Sequence, residues 1–186
     1  PRKIVAVIGL RRVGKTYVAY QIAKDVIDRF GIDKTLFINF EDERIPESTE
    51  FLSELSSYLE SKNADIFVFL DEIQRIPQWS RWLRRLYDSM RPPLLITGSS
   101  SKLTEERIPK ELRGRTLTFR LFPLRFLEFL SFKGESIENI RYNEGKLKAY
   151  FDEYLRYGGL PEVVLSPEYR KLNILQNYFL TIIQRD

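Results

Sequence analysis

The chain has 186 residues, with 30 Lys and Arg against 26 Asp and Glu for a net charge of +4, and its 43% apolar and 30% charged residues suit a globular domain rather than a disordered or membrane-embedded chain. It contains neither Cys nor His. That excludes disulfides, thiolate metal sites and a Cys nucleophile, and leaves any proton transfer to carboxylates, Lys or Tyr.

The first apolar run, Ile4 to Ile8, reads as a strand; GLRRVGKT follows from Gly9 to Thr16, and an amphipathic segment then continues to Phe30. Strand, tight loop and helix in that order are the setting of a phosphate-binding P-loop, a Walker A motif. Gly9 and Gly14 admit torsions that a Cβ would forbid, so that successive N–H groups can turn inward around an anion. The positive end of the following helix dipole points at the same place. Lys15 supplies a mobile charge for the terminal phosphates and Thr16 a hydroxyl for the accompanying Mg²⁺. The nucleotide cradle is assigned to Gly9, Arg11, Arg12, Val13, Gly14, Lys15, Thr16 and Tyr17, with Arg11 and Arg12 facing either phosphate or simply solvent.

Ala19, Ile22, Ala23, Val26, Ile27 and Phe30 recur at helical period, and Gly31 ends that helix. TLFINF, Thr35 to Phe40, reads as a second strand and runs into the acidic cluster Glu41, Asp42 and Glu43. Residues 47 to 60 carry Phe51, Leu52, Leu55 and Leu59 and predict a second helix. From Asp65 the run IFVFL is too continuous for a half-exposed strand, so it should be covered on both faces; it stops at Asp71-Glu72. A Pro-containing turn leads into a helix with Trp82, Leu83 and Leu86 on its apolar side, broken at Pro92-Pro93. LLIT, Leu94 to Thr97, predicts a fourth buried strand closing in Gly98-Ser99-Ser100-Ser101. A polar, irregular stretch to Gly114 precedes an alternating fifth strand, Thr116 to Phe122.

Beyond Phe122 only helical patterns remain, over 124 to 131, about 146 to 157 and about 168 to 185, separated by Gly158-Gly159-Leu160-Pro161 and Ser166-Pro167. The pattern predicts an α/β fold: a P-loop NTPase core over residues 1–121, with a five-stranded parallel sheet between helices, and a small helical part over 122–186. The candidate groups fall at strand C-terminal ends, where open α/β sheets bind ligands.

FVFLDE, residues 67 to 72, carries the second set of reactive groups. A strand-terminal Asp beside the P-loop strand suits Mg²⁺ as a hard oxygen ligand, and the next Glu can polarise a water for in-line attack on a γ-phosphate. Asp71 is therefore the metal residue and Glu72 the candidate base; a solvated acidic turn is the bland alternative. After the fourth strand, Thr97 and Ser99 are candidates to contact the γ-phosphate or the water, against a plain Ser-rich turn. Asn39 either restrains Glu72 or satisfies local backbone groups. Arg81, Arg84 and Arg85 share one helix flank, as a nucleic-acid patch or as a solvated face. Arg113 and Arg115 flank Gly114, from which an arginine can reach a neighbouring subunit's nucleotide. Phe122, Phe126, Phe129 and Phe132 read as core.

Taken together, GLRRVGKT, FVFLDEIQ, LLITGSSS, LRGRTLTFRLFPLRFLEFL and YLRYGGLPEVV resemble a prokaryotic group of AAA+-related ATPases found in archaea and bacteria. The resemblance covers Ile4 to Asp186. It implies strand order 5-1-4-3-2 and a helical lid in residues 122–186, followed in the family by a winged-helix segment and often a nuclease-like domain. By position it implies ATP and Mg²⁺ as ligands, Lys15 and Thr16 at phosphate and metal, and Asp71 at the metal. It implies Glu72 as the water-activating residue, Ser99 or Thr97 as the γ-phosphate sensor, and Arg113 or Arg115 as an arginine acting in trans. Arg156 is the one candidate for a second arginine sensor in the lid.

The expected function is a nucleotide-driven conformational switch that binds and hydrolyses ATP. The alternative is a nucleotide-dependent DNA- or protein-binding module with little hydrolysis of its own. A small-substrate kinase fits less well, because a Glu after the strand-terminal Asp favours water as acceptor, and a GTPase is disfavoured by the lack of an NKxD-like run. Pro1 is no natural start and Asp186 carries no stop signal, so the sequence is expected to belong to a longer protein. Partners expected beyond ATP and ADP are further copies of the chain, and DNA or protein engaged through downstream domains. No apolar run approaches the ~18 residues of a membrane span and the start leads directly into the P-loop strand, so a cytoplasmic location is expected.

Overall fold

Parallel strands cannot be joined by tight hairpins; they need crossovers long enough to return the chain to the same edge, and among the described residues this sequence supplies three of them as helices. A computed structural model of the chain describes residues 3–62, 65–99 and 112–185. Ser100, Ser101 and the polar stretch over 102–111 lie outside the described residues. The chain divides into two units, residues 1–121 and 122–186.

The first unit contains five strands, β1 (Ile4–Gly9), β2 (Thr35–Asn39), β3 (Phe67–Asp71), β4 (Leu94–Ser99) and β5 (Thr116–Leu121). They form one sheet in the order β2-β3-β4-β1-β5 with every pairing parallel, which is the expected 5-1-4-3-2 order. Among the described residues, three helices cover it: α1 (Lys15–Phe30), α2 (Thr49–Ser61) and α3 (Trp79–Ser89). Because side chains alternate along a strand, β1 sends Ile4, Ala6 and Ile8 to one face and Val5 and Val7 to the other. The first face packs with Leu52, Leu55 and Leu59 of α2 and Trp82, Leu83 and Leu86 of α3. The second packs with Ala19 and Ala23 of α1, together with Phe69 and Leu95. The continuous apolar runs of β3 and β4 follow from this two-sided cover.

Helix starts differ from the sequence expectation by a few residues, and capping explains the difference. α2 begins at Thr49 instead of residue 47, since the Ser48 side chain accepts the Phe51 N–H at 3.3 Å. In the second unit, α4 (Phe126–Phe132) starts two residues later than expected, where the Glu128 carboxylate accepts the Arg125 N–H at 2.7 Å. α6 (Glu144–Tyr157) starts earlier, capped by Asn143 on the Lys146 N–H. Two short helices were not expected: α5 (Ile137–Ile140) and α7 (Pro161–Leu165), the latter with Pro in the first turn, where a missing N–H costs nothing. α8 (Glu168–Arg185) completes the chain.

The core of the second unit is Phe129, Leu130, Ile140 and Val164, with Phe126, Tyr150 and Tyr154 packed against it. Phe122 and Phe132, read from sequence as core, are instead exposed, because Phe122 precedes the helix and Phe132 closes its last turn on the outer side. Lys171 is buried beside Glu153, with the Tyr157 ring 5.5 Å away; Lys133 reaches the same carboxylate at 2.7 Å. Burial depresses the Lys171 pKa. Burial also pulls Glu153 upward, but its hydrogen bonds to two ammonium groups prevail and hold it below the usual carboxylate range.

Candidate active site

The C-terminal ends of β1, β3 and β4 come to one level, which register alone guarantees: Gly9 pairs with Ser99 and Leu70 with Ile96, so Asp71 and Thr97 follow together. The loop after β1 must pass close to the end of β5. A Cβ on Gly9 would stand 2.5 Å from the Leu121 carbonyl oxygen and 3.0 Å from Val13 Cγ1, so the first loop glycine is required for close approach. Gly14 has φ 103° and Arg12 φ 67°. Gly14 takes that conformation freely, while Arg12 carries the strain often found at functional loops.

Val18 N–H bonds back to the Gly14 carbonyl at 3.0 Å, so the N–H groups of Lys15, Thr16 and Tyr17 precede the first intrahelical donor of α1 and face outward from its positive end. Val13 is buried and anchors the loop, whereas Tyr17 is 76% exposed. Arg11 lies 3.4 Å from Glu41. Lys15 is 4% exposed; its ammonium donates to the Leu10 carbonyl at 3.1 Å and stands 3.4 Å from Glu72.

Asp71 is 1% exposed and accepts from Thr16 Oγ1 at 2.8 Å and from Thr97 Oγ1. Burial raises its pKa, against the two hydroxyl hydrogen bonds that favour the ionised form; Glu72 and Glu41 push it further up. A desolvated carboxylate surrounded by hydroxyls is short of positive charge, which is the condition a divalent cation relieves. Among the described residues there is no group of three or more acidic side chains arranged to hold a metal. Asp71 and Thr16 suit Mg²⁺, an ion that keeps several waters and takes few protein ligands.

Thr97 donates to Asp71 and accepts the Glu72 N–H at 3.0 Å. Of the two sensor candidates it is thus committed to the Asp71 carboxylate and the Glu72 backbone, and Ser99 is half-buried at the end of β4. Glu72 has φ 54° and its second oxygen accepts from Gln74 Nε2. Asn39 does not hold Glu72: its Oδ1 accepts the Glu41 N–H at 2.8 Å, the local alternative. Gln74 is the partner that the sequence reading passed over, although it stands two residues after Glu72 in DEIQ. Nothing in a lone Gln signals such a contact.

The arginine candidates separate. Arg115 makes a two-pronged contact with Asp88 at 3.0 and 3.1 Å, while Arg113 is exposed and makes no ion pair among the described residues. Arg81, Arg84 and Arg85 are exposed on α3, and Arg84 lies 3.5 Å from Asp88. Arg156 is exposed at the end of α6, over the Tyr157 ring at 6.0 Å.

The chain is 40% identical over 195 residues to MJ1544, an uncharacterized protein of Methanocaldococcus jannaschii, and 29% identical over 188 residues to an uncharacterized protein of Haemophilus influenzae. These matches cover 100% and 98% of this chain but only 42% and 46% of the relatives, so the chain spans less than half of their length. Among solved structures, that of C. elegans PCH-2 shares the fold with a TM-score of 0.53 at 18% identity, covering 75% of this chain and 40% of that one. No helix among the described residues is long and apolar enough to cross a membrane. A family model described as an AAA domain matches residues 1–130, and with the parallel sheet and the P-loop at the C-terminal end of its β1 the chain belongs to that AAA domain family, a nucleotide-binding AAA+-like module.

Proposed function

We propose that this module binds and hydrolyses ATP and uses the cycle as a conformational switch. The observation that carries the reading is the meeting of two sequence-distant motifs, Lys15 with Glu72 and Thr16 with Asp71, at one end of the sheet. Lys15 and the N–H groups heading α1 bind the phosphates of ATP. Thr16 and Asp71 would hold Mg²⁺, which when bound neutralises charge on the phosphates. Glu72 orients the attacking water and takes its proton. Ser99 senses the γ-phosphate through its hydroxyl, and Thr97 holds Asp71 and the Glu72 backbone in place. The helical residues 122–186 act as the lid that reports the nucleotide state, and Arg113 is the arginine that serves a neighbouring copy. DNA or protein partners engage through the rest of the longer protein.

The test is ATP turnover by the full-length protein beside Lys15→Ala and Glu72→Gln. Loss of nucleotide binding in the first and of turnover with retained binding in the second is the expected result. Both variants hydrolysing at the parental rate would end this reading. Nucleotide binding by the parent without turnover would favour the nucleotide-dependent binding module.

A further inference from the structure

Gln74 offers Glu72 both a donor and an acceptor, and only one of them is in use. Its Nε2 donates to Glu72 Oε2, while its Oε1 is buried with no hydrogen-bond partner among the described residues.

Both residues have fixed backbones. Gln74 lies on the 3₁₀ turn Ile73–Arg75, whose Ile73 is fully buried and whose exit at Ile76 is pinned by a bond to the Ile73 carbonyl at 3.1 Å. The Glu72 N–H is held by Thr97 at 3.0 Å. Only the two side chains can respond to one another. An ionised carboxylate accepts and does not donate, so the NH₂ end of the amide must face it.

We propose that Gln74 is the positioning residue for Glu72, its amide NH₂ fixing the direction of the carboxylate through the bond to Oε2. This rests on the water-activating role of Glu72 proposed above. In the ionised state the Gln74 NH₂ aims Glu72. As the water oxygen bonds to the γ-phosphorus, its proton passes to Glu72 and the bond to the β,γ-bridging oxygen breaks, the electron pair leaving with ADP.

The experiment uses the full-length protein and measures ATP turnover and ATP affinity for Gln74→Met, Gln74→Glu and Glu72→Gln, and for each Gln74 change combined with Glu72→Gln. Gln74→Met, similar in length but without the amide, is expected to lower kcat about tenfold with KM and Kd within about twofold, and to cost nothing further in the Glu72→Gln background. Gln74→Glu keeps the shape and sets a second carboxylate against Glu72; it is expected to lower kcat at least as much, which covers the case in which Gln74→Met does not fold. The proposal is overturned if the Gln74 variants run at the parental rate while Glu72→Gln is slow, or if their loss persists undiminished without Glu72. A Glu72→Gln variant at the parental rate would instead remove the role of Glu72, and this proposal with it.

Discussion

Lys15 and Glu72 stand 3.4 Å apart, the ammonium of the loop after β1 against the first carboxylate beyond β3, with the ammonium almost wholly buried. A phosphate entering the loop therefore competes with Glu72 for the same cation. Replacing Glu72 with Gln removes the competitor, and ATP affinity should rise about threefold, or ~0.6 kcal/mol, while turnover falls about 100-fold. Titration with a fluorescent ATP analogue beside phosphate release checks both. Weaker binding than the parent's would show that the pair does not compete with nucleotide.

Thr97 and Ser99 should separate by stability. Thr97→Val keeps the shape but strips a donor from Asp71 and the acceptor of the Glu72 N–H, at a buried position. It should destabilise the protein by about 1–3 kcal/mol and lower kcat about tenfold or more. Ser99→Ala should lower kcat with little change in the melting temperature. Thermal unfolding and turnover on the same preparations decide; equal behaviour of the two variants would refute the division of roles.

Arg113 and Arg115 should differ in the dependence of turnover on protein concentration. Arg115 is engaged by Asp88 within its own chain, and this contact holds the Asp88 pKa below and the Arg115 pKa above their ordinary values. Arg113→Ala should abolish any rise in specific activity with concentration, and Arg115→Ala should leave it in place. A parent whose specific activity is flat while it stays monomeric would leave no place for an arginine in trans.

Asp71 should make stability depend on pH. Its folded pKa lies above the ordinary 3.8 because of burial, so the folded chain binds the proton more tightly than the unfolded one. Stability from this group is then greatest below the ordinary carboxylate range, is lost as pH rises through the raised folded value, and stays lost above it. Asp71→Asn should accordingly raise the melting temperature of nucleotide-free protein at pH 7, with the gain vanishing below about pH 4. Melting curves of parent and variant across pH test this, and a variant less stable at pH 7 would contradict it.

Much of the architecture was legible in the residues because local rules and the fold agree. The apolar runs of β1, β3 and β4 are continuous since helices cover both faces, and β5 alternates since it is an edge strand. Helix starts were less legible: Ser48 and Asn143 place them by single hydrogen bonds, which periodicity does not register. Phe122 and Phe132 were misplaced because apolarity alone does not say which side of a short helix meets the core.

For the site, the sequence by itself determined the reactive groups: two glycines, Lys15 and Thr16 after one strand, Asp71 and Glu72 after another, since that chemistry requires those residue types at that spacing. Only the tertiary structure decided their partners. Side-chain hydrogen bonds reach just a few ångströms, so it took the parallel register of β3 and β4 to commit Thr97 to Asp71, the local turn to claim Asn39, the position of α3 to bind Arg115, and the turn after β3 to bring Gln74 to Glu72.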